Sequence, residues 1–291
     1  MITQITQILD SVLFGKYFFE VAMVLRSSLL LSSLLLNSEA WVNLSDKDIR
    51  ALERTDDILL SKILEADSNT SNTFKYLELG IYPIRFEIMK RKIIFLQYIL
   101  QQEKESMMYK VFKATCDAPV KKDFVNTCDK YLKMLDIKLT FTEISEMSKH
   151  RFKQLVKQKT TEAAFIYLIS EKNKQKKISH LKYSSLEMQE YLLTGNRNIS
   201  QLIFKSRGRN LDIKTHKKWR YDDNICVGCG KNSESEEELL SCPGFCDKNE
   251  IVPEIMSYSC LFGGSLSQML KVAKVIKNRL KVRLKLLEES G

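Results

Sequence analysis

The sequence is short of the residues that interrupt helices. Only four of its 291 residues are proline and ten are glycine, whereas 44% are hydrophobic. Strand-rich and loop-rich proteins need more turn-forming residues than this, and the apolar share is enough to fill a packed core. We therefore expect a mainly α, packed protein.

A disulfide framework is also missing. The seven cysteines are an odd number, and Cys116 and Cys128 lie well away from the others. The first ten residues carry no positive charge, and no small-residue cleavage site follows them, so they do not resemble a secretory signal. We expect a reduced, intracellular chain, nuclear or cytoplasmic and not secreted.

No apolar run is long enough to cross a membrane. The most apolar stretch, residues 12–36, is interrupted by Lys16, Glu20 and Arg26. A spanning helix needs about 20 consecutive apolar residues. The sequence therefore predicts no membrane partner.

Enzyme signatures are absent as well. The sequence contains three histidines, all among lysines, and it has neither a glycine-rich phosphate loop nor a Ser/His/Asp arrangement at familiar spacing. No catalytic residue and no small-molecule substrate can be named from these patterns.

What the chain does have is an excess of positive charge. Lysine and arginine outnumber aspartate and glutamate by 46 to 36, which gives a formal net charge of +10. The excess concentrates in the second half of the chain. Such a balance favours an anionic partner, such as nucleic acid or a membrane surface.

Four of the seven cysteines lie within 21 residues: Cys226, Cys229, Cys242 and Cys246. Two cysteines two residues apart, on a turn made permissive by glycine, can place both thiolates on one tetrahedral ion, and the second pair can complete the shell. The alternative is that these thiols are small, buried, apolar side chains. We interpret the cluster as a zinc knuckle.

A basic and aromatic run, residues 217–221, stands directly before the cysteines. Its cations could neutralise phosphates and its aromatic rings could stack on bases. Two further arginines precede it at positions 207 and 209. The run with these arginines predicts RNA or DNA as partner.

Two helices are predicted to carry basic faces. Pro83 begins one that reaches about Gln102, with four cations in its N-terminal half, where they oppose the helix dipole. These cations form either a solvated face or a phosphate-binding stripe. The second helix, Ser265–Glu289, is amphipathic and could lie on a membrane, bind a partner or contact phosphates; its context favours phosphates. An alternating run at Leu135–Phe141 predicts a short strand.

Several segments together resemble the part of LINE-type, non-LTR retrotransposon reverse transcriptases that follows the polymerase palm. The similarity rests on residues 18–41, on Leu77-Glu78-Leu79-Gly80 with the helix behind it, and on Leu202 to Arg209 before the knuckle. It implies a thumb-like helical module over residues 1–145, a basic helical segment over 146–220, a zinc knuckle over 221–260 and a basic amphipathic helix over 261–291.

The chain departs from that family at the fourth zinc ligand. The family knuckle has a histidine where this chain has Glu238, while Cys226, Cys229 and Cys242 keep the spacing. Either Glu238 supplies an oxygen, or Cys246 takes the fourth place. Thiolate is the more usual ligand of structural zinc, so we expect Cys246.

The palm aspartates that hold two catalytic metal ions in this family are missing from the chain. Tyr221-Asp222-Asp223 lacks the spacer residue of the family motif, and Asp56-Asp57 falls within a predicted helix. We therefore expect a nucleic-acid-binding, catalytically silent fragment, with a zinc-stapled protein-interaction scaffold as the alternative. The residues predicted to contact nucleic acid are Arg85, Arg91, Arg207, Arg209, Lys217, Lys218, Trp219, Arg220, Lys274 and Lys281.

Overall fold

A computed structural model describes residues 2–12, 17–42, 44–118, 123–246 and 257–290. The predicted mainly α class is confirmed, because the described residues contain helices and only two isolated antiparallel β-bridges, Leu79 with Met188 and Ile225 with Ser233. The helices are α1 (Ile2–Val12), α2 (Phe18–Leu25), α3 (Leu31–Leu34), α4 (Asp46–Leu64), α5 (Asn72–Leu79), α6 (Ile84–Leu100), α7 (Met107–Asp117), α8 (Phe124–Met134), α9 (Phe141–Glu146), α10 (Lys149–Asn173), α11 (Arg197–Arg207), α12 (Glu236–Ser241), α13 (Cys260–Gly263) and α14 (Leu266–Ser290). A π-helical turn, Arg26–Leu30, joins α2 to α3, and 3-10 turns cover Glu190–Leu193 and Pro243–Phe245.

Local sequence explains where several helices begin. The Ser45 hydroxyl accepts a hydrogen bond from the amide of Asp48, and the Asp48 carboxylate accepts one from the amide of Ser45, so α4 begins with a full capping box. Pro83 stands just before α6, where its missing amide hydrogen costs nothing. These signals are short-range, which is why both starts can be predicted from sequence.

Helices α6 and α10 form the centre of the helical body. Helix α6 also packs against α4, α7, α8 and α9. Ile93 and Leu96 of α6 and Phe152 and Val156 of α10 are fully buried. Burying such a side chain contributes about 1.5–3 kcal/mol, so this contact is a main source of stability.

The strand predicted at Leu135–Phe141 is wrong. Leu135 is the C-cap residue that follows α8, and Thr140 caps α9 through the amide of Glu143. The residues between them form a connection in which Leu135 and Ile137 are buried. Apolar and polar residues do alternate here, but the segment is a loop that places two apolar side chains in the core. It has no partner strand within the described residues.

Buried arginine–carboxylate pairs connect elements that are distant in sequence. Within the described residues, three such pairs have both side chains less than 10% exposed: Arg26 with Asp56, Arg207 with Glu78, and Arg283 with Glu234. Because a buried charge is costly unless it is paired, each pair fixes the relative position of its two elements. The last pair ties α14 to the cysteine-rich segment.

Candidate metal site and adjoining basic surface

The structure brings together the side chains of Cys226, Cys229, Glu238 and Cys242. Their ligand atoms all lie within 4.8 Å of one another. The Sγ atoms of Cys226 and Cys242 are 3.7 Å apart, and Cys229 Sγ is 3.2 Å from Glu238 Oε1. Three thiols and a carboxylate converging in this way could hold a metal ion.

The first arm of the site is the turn that carries Cys226 and Cys229. The amide of Cys226 donates to the Asn232 carbonyl at 2.8 Å, and the Gly230 amide donates to the Cys226 carbonyl at 2.8 Å. Gly230 has a φ of +64°, which an L side chain adopts only with strain. The glycine therefore lets the turn close with both thiols on one side.

The second arm is α12 with the 3-10 turn behind it. Ser235 caps α12 through the Glu238 amide, and the Cys242 amide donates to the Glu238 carbonyl. Residues four apart on a helix share a face, so Glu238 and Cys242 point toward the same place.

The two arms meet at a pair of glycines. A Cβ atom on Gly244 would lie 2.1 Å from the Gly228 carbonyl oxygen, and one on Gly228 would lie 3.1 Å from Cys242 Sγ. Any larger residue at position 244 would force the arms apart. The close approach of the two arms, which brings the four side chains together, thus depends on glycine at positions 228 and 244.

Glu238, and not Cys246, is the fourth member of the group. Cys246 is exposed, and its Sγ accepts a hydrogen bond from Arg279 Nη2 at 3.1 Å. Asn232 Nδ2 donates to Glu238 Oε2 at 3.0 Å, which leaves Oε1 facing Cys229. The structure thus groups Glu238 with the three thiols, whereas the sequence favoured Cys246: the turn after Cys242 carries Cys246 toward α14, and α12 brings Glu238 to the thiols.

The surroundings shift the pKa values of the four grouped side chains in different directions. Burial raises the pKa of Cys226 and raises the pKa of Cys242 to about 12. Backbone amides of Asn232 and Lys231 lower the pKa of Cys229, and hydrogen bonds from Cys229 and Asn232 lower the pKa of Glu238 although desolvation opposes them. A cation bound here would displace the protons of the two buried thiols, because only thiolates are good ligands.

Next to the site, residues 217–220 form a turn whose last three residues are exposed. Trp219 is 75% exposed, and Lys218 is exposed and makes no ion pair within the described part of the chain. Lys217 pairs with Asp67, and Arg220 lies 3.1 Å from Asp212. The turn thus presents an indole beside one unpaired cation and one exposed, surface-paired cation.

Arginines predicted for the α6 face are engaged inside the chain. Arg85 makes a two-pronged ion pair with Glu53, both contacts at 2.8 Å, and these hydrogen bonds raise the pKa of Arg85. Arg91 lies 3.2 Å from Glu87 and donates to the Leu35 carbonyl. The face is a network of intrachain ion pairs. The carboxylates in this network compensate for the cations that oppose the helix dipole.

Arg207 is a core residue. Its side chain is 2% exposed and it pairs with the fully buried Glu78, which also accepts hydrogen bonds from Tyr183 and Tyr191 at 2.6 Å. Although burial opposes the charge, Glu78 raises the pKa of Arg207. We correct the prediction for this residue, because a guanidinium enclosed in this network cannot reach a phosphate. Arg209, two residues on, is exposed.

Helix α14 divides its cations between two faces. Lys274 and Lys281 are exposed, as are Lys271 and Lys285, and none of these four makes an ion pair within the described residues. Arg279 and Arg283 are buried. The guanidinium of Arg283 lies 5.4 Å from the centre of the Tyr221 ring, so the C-terminal half of α14 adjoins the exposed turn.

Three residues that hold the cysteine arms were not predicted from the sequence. Arg279, Arg283 and Glu234 are all buried, and both arginines contact the cysteine-rich segment. A signal was available: with Val272 and Ile276, the two arginines follow a four-three-four spacing that puts them on the apolar face of α14.

Comparison with known proteins identifies no relative: no family model, no curated protein and no solved structure matches the chain. Among the described residues, every helix is too short or too polar to cross a lipid bilayer. The function therefore has to be inferred from the cysteine cluster and the surface beside it.

Proposed function

We propose that the chain is a nucleic-acid-binding module in which a zinc ion staples the cysteine arms beside an exposed basic and aromatic surface. The observation that carries this proposal is the position of Trp219, three-quarters exposed between Lys218 and Arg220 on a turn that adjoins α14. An indole exposed between cations suits a stacked base with its phosphates nearby.

Zinc is the metal that the donor set favours. Three thiolates are soft ligands, and with one carboxylate oxygen they would supply the four ligands that a structural zinc ion prefers. When bound, the ion would hold the two arms together, so that the adjoining surface keeps one shape. Cys226, Cys229, Glu238 and Cys242 would be its ligands.

Metal analysis of the purified protein tests this part of the proposal. We expect about one equivalent of zinc in the wild type, and its loss in Cys229→Ser and Glu238→Gln. Cys246→Ser is the matched control and should keep its zinc, because Cys246 lies outside the ligand group. Full zinc content in Glu238→Gln together with loss in Cys246→Ser would return the fourth place to Cys246.

The ancestry that the sequence suggests is also a proposal. We infer a descendant of the post-palm part of a LINE-type reverse transcriptase, without polymerase activity because the chain offers no palm aspartates. What supports this inference is the order of the matching segments together with the helical body, the cysteine arms and the terminal basic helix.

Salt dependence of RNA binding tests the nucleic-acid proposal. Each phosphate neutralised on a single strand contributes about 0.7 to the slope of log affinity against log salt, so five to eight contacts give roughly −4 to −6. We expect little sequence preference. Binding that does not change with salt, or no binding at low ionic strength, would contradict the proposal.

One observation favours the alternative, a zinc-stapled protein-interaction scaffold. Six of the ten residues predicted for nucleic acid already have carboxylate partners: Arg85, Arg91, Arg207, Arg209, Lys217 and Arg220. If the salt experiment fails while zinc is retained, the scaffold is the better interpretation.

A further inference from the structure

The terminal helix reaches the second cysteine arm through Arg279. This side chain is 1% exposed, and its Nη1 atom donates to the carbonyls of Leu239 at 3.1 Å and Cys242 at 3.4 Å. Both carbonyls belong to the C-terminal end of α12, where backbone acceptors lack helical partners and the dipole favours a cation. Arg279 therefore fixes the end of the helix that carries Glu238 and Cys242.

The same helix reaches the first arm through Arg283. Its Nε atom donates to Glu234 Oε1 at 2.7 Å, and both side chains are fully buried. Glu234 Oε2 accepts from the amide of Val227, which lies inside the Cys226–Cys229 turn, and Oε1 accepts from the Lys214 amide. Arg283 thus acts on the turn through one intervening carboxylate.

Apolar packing alone does not explain these two arginines. Burying a guanidinium is costly unless it is paired and well hydrogen-bonded, and apolar residues would dock a helix at lower cost. The arginines add hydrogen bonds of fixed direction, because a guanidinium group donates along fixed lines in its plane. They lie four residues apart, about 6 Å along the helix, so one rigid element sets the distance between the two arms.

We propose that Arg279 and Arg283 are positioning residues of the metal site, so that docking of α14 and binding of the ion stabilise each other. This inference rests on the metal site proposed above. Outer contacts that orient metal ligands commonly change metal affinity 10- to 100-fold when they are removed. Because coupling is reciprocal, the ion must tighten the docking of α14 by the same factor.

The first experiment measures zinc affinity by competition with a chromophoric chelator. Arg279→Met and Arg283→Met should bind zinc 10- to 100-fold more weakly than the wild type. Arg283→Lys keeps the charge but not the planar fork, and should fall in between. Val156→Ala is the matched control: Val156 is buried in α10, which packs against α5 and α6, and its loss should lower stability without changing zinc affinity.

The outcomes separate the two proposals. If the wild type takes up no zinc, the metal site itself fails. If it takes up zinc and the arginine-to-methionine variants bind it as tightly as Val156→Ala does, the positioning role is wrong. A cobalt-substituted sample adds a geometric readout, because a distorted ligand set changes the visible absorption bands of the ion, which a loss of stability alone leaves unchanged.

The second experiment needs no variant. Hydrogen exchange of the wild type, with and without zinc, should show added protection in residues 276–286 of α14 as well as in residues 225–242. Protection confined to the cysteine arms would overturn the coupling, because a helix that positions the ligands must in turn be held by the ion.

Discussion

Helices α6 and α14 are both rich in cations, but they use them differently. In α6 the cations are engaged inside the chain: Arg85 and Arg91 pair with glutamates, Lys90 pairs with Glu87, and Lys92 donates to backbone carbonyls. In α14 two arginines turn inward to the cysteine arms, while four lysines remain exposed without ion pairs within the described residues. Charge content therefore does not distinguish a binding face from a structural one.

The same contrast appears at a smaller scale between Arg207 and Arg209. Arg207 is enclosed with Glu78, Tyr183 and Tyr191, whereas Arg209 is exposed, and its ion pair within the described residues is with Glu236 at 3.9 Å. Two residues along the chain separate a core ion pair from a surface cation. The burial of Arg207 depends on a partner from a distant segment, since Glu78 lies 129 residues earlier in the chain.

The largest effect should come from breaking the buried pair. Arg207→Met leaves the Glu78 carboxylate buried without its cation, which we expect to lower the free energy of unfolding by about 3–5 kcal/mol. Arg209→Met is the control and should change it by about 1 kcal/mol or less. Urea denaturation of the two variants measures the difference, and similar values for both would remove the distinction drawn between them.

Much of the fold could be predicted because its signals are local. The cap at Ser45, the start of α6 after Pro83 and the Cys-x2-Cys turn each depend on a few neighbouring residues. The strand prediction at Leu135–Phe141 failed because burial of two alternate side chains looks the same in a loop as in a strand.

The fourth ligand could not be chosen from spacing alone. Glu238 and Cys246 both stand four residues from Cys242, on opposite sides along the chain. The choice depends on the direction of α12 and on the contact of Cys246 with Arg279, which comes from 33 residues further along. General preference for thiolate favoured Cys246 because it carries no information about that packing.

A smaller effect, on binding instead of stability, should follow from removing the exposed indole. Trp219→Ala should weaken RNA binding by about 1–3 kcal/mol through lost stacking, with little change in salt slope. Tyr98→Ala is the control, because Tyr98 is a 45% exposed aromatic residue on α6, where we expect no nucleic acid. Fluorescence anisotropy with a single-stranded RNA measures both, and equal losses would show that the Trp219 surface is not the binding face.

The smallest expected effect is a change in the salt dependence of RNA binding. It distinguishes the cations of α14 from those of α6 directly. Replacing Lys274 and Lys281 by glutamine removes two exposed cations, and at about 0.7 per phosphate contact the slope of log affinity against log salt should flatten by about 1.4. The stability of the protein should hardly change, because neither lysine has a partner to lose within the described residues.

The matched control is the double replacement of Arg85 and Arg91 by glutamine on α6. Both arginines already neutralise glutamates within the chain, so their loss should leave the slope unchanged while lowering stability by about 1 kcal/mol or more. The double variants have the same change in net charge, so a purely long-range field would flatten both slopes alike. A slope that flattens only in the α14 variant places phosphates on that helix; equal flattening in both would show that net charge, and not the exposed lysine face, governs binding.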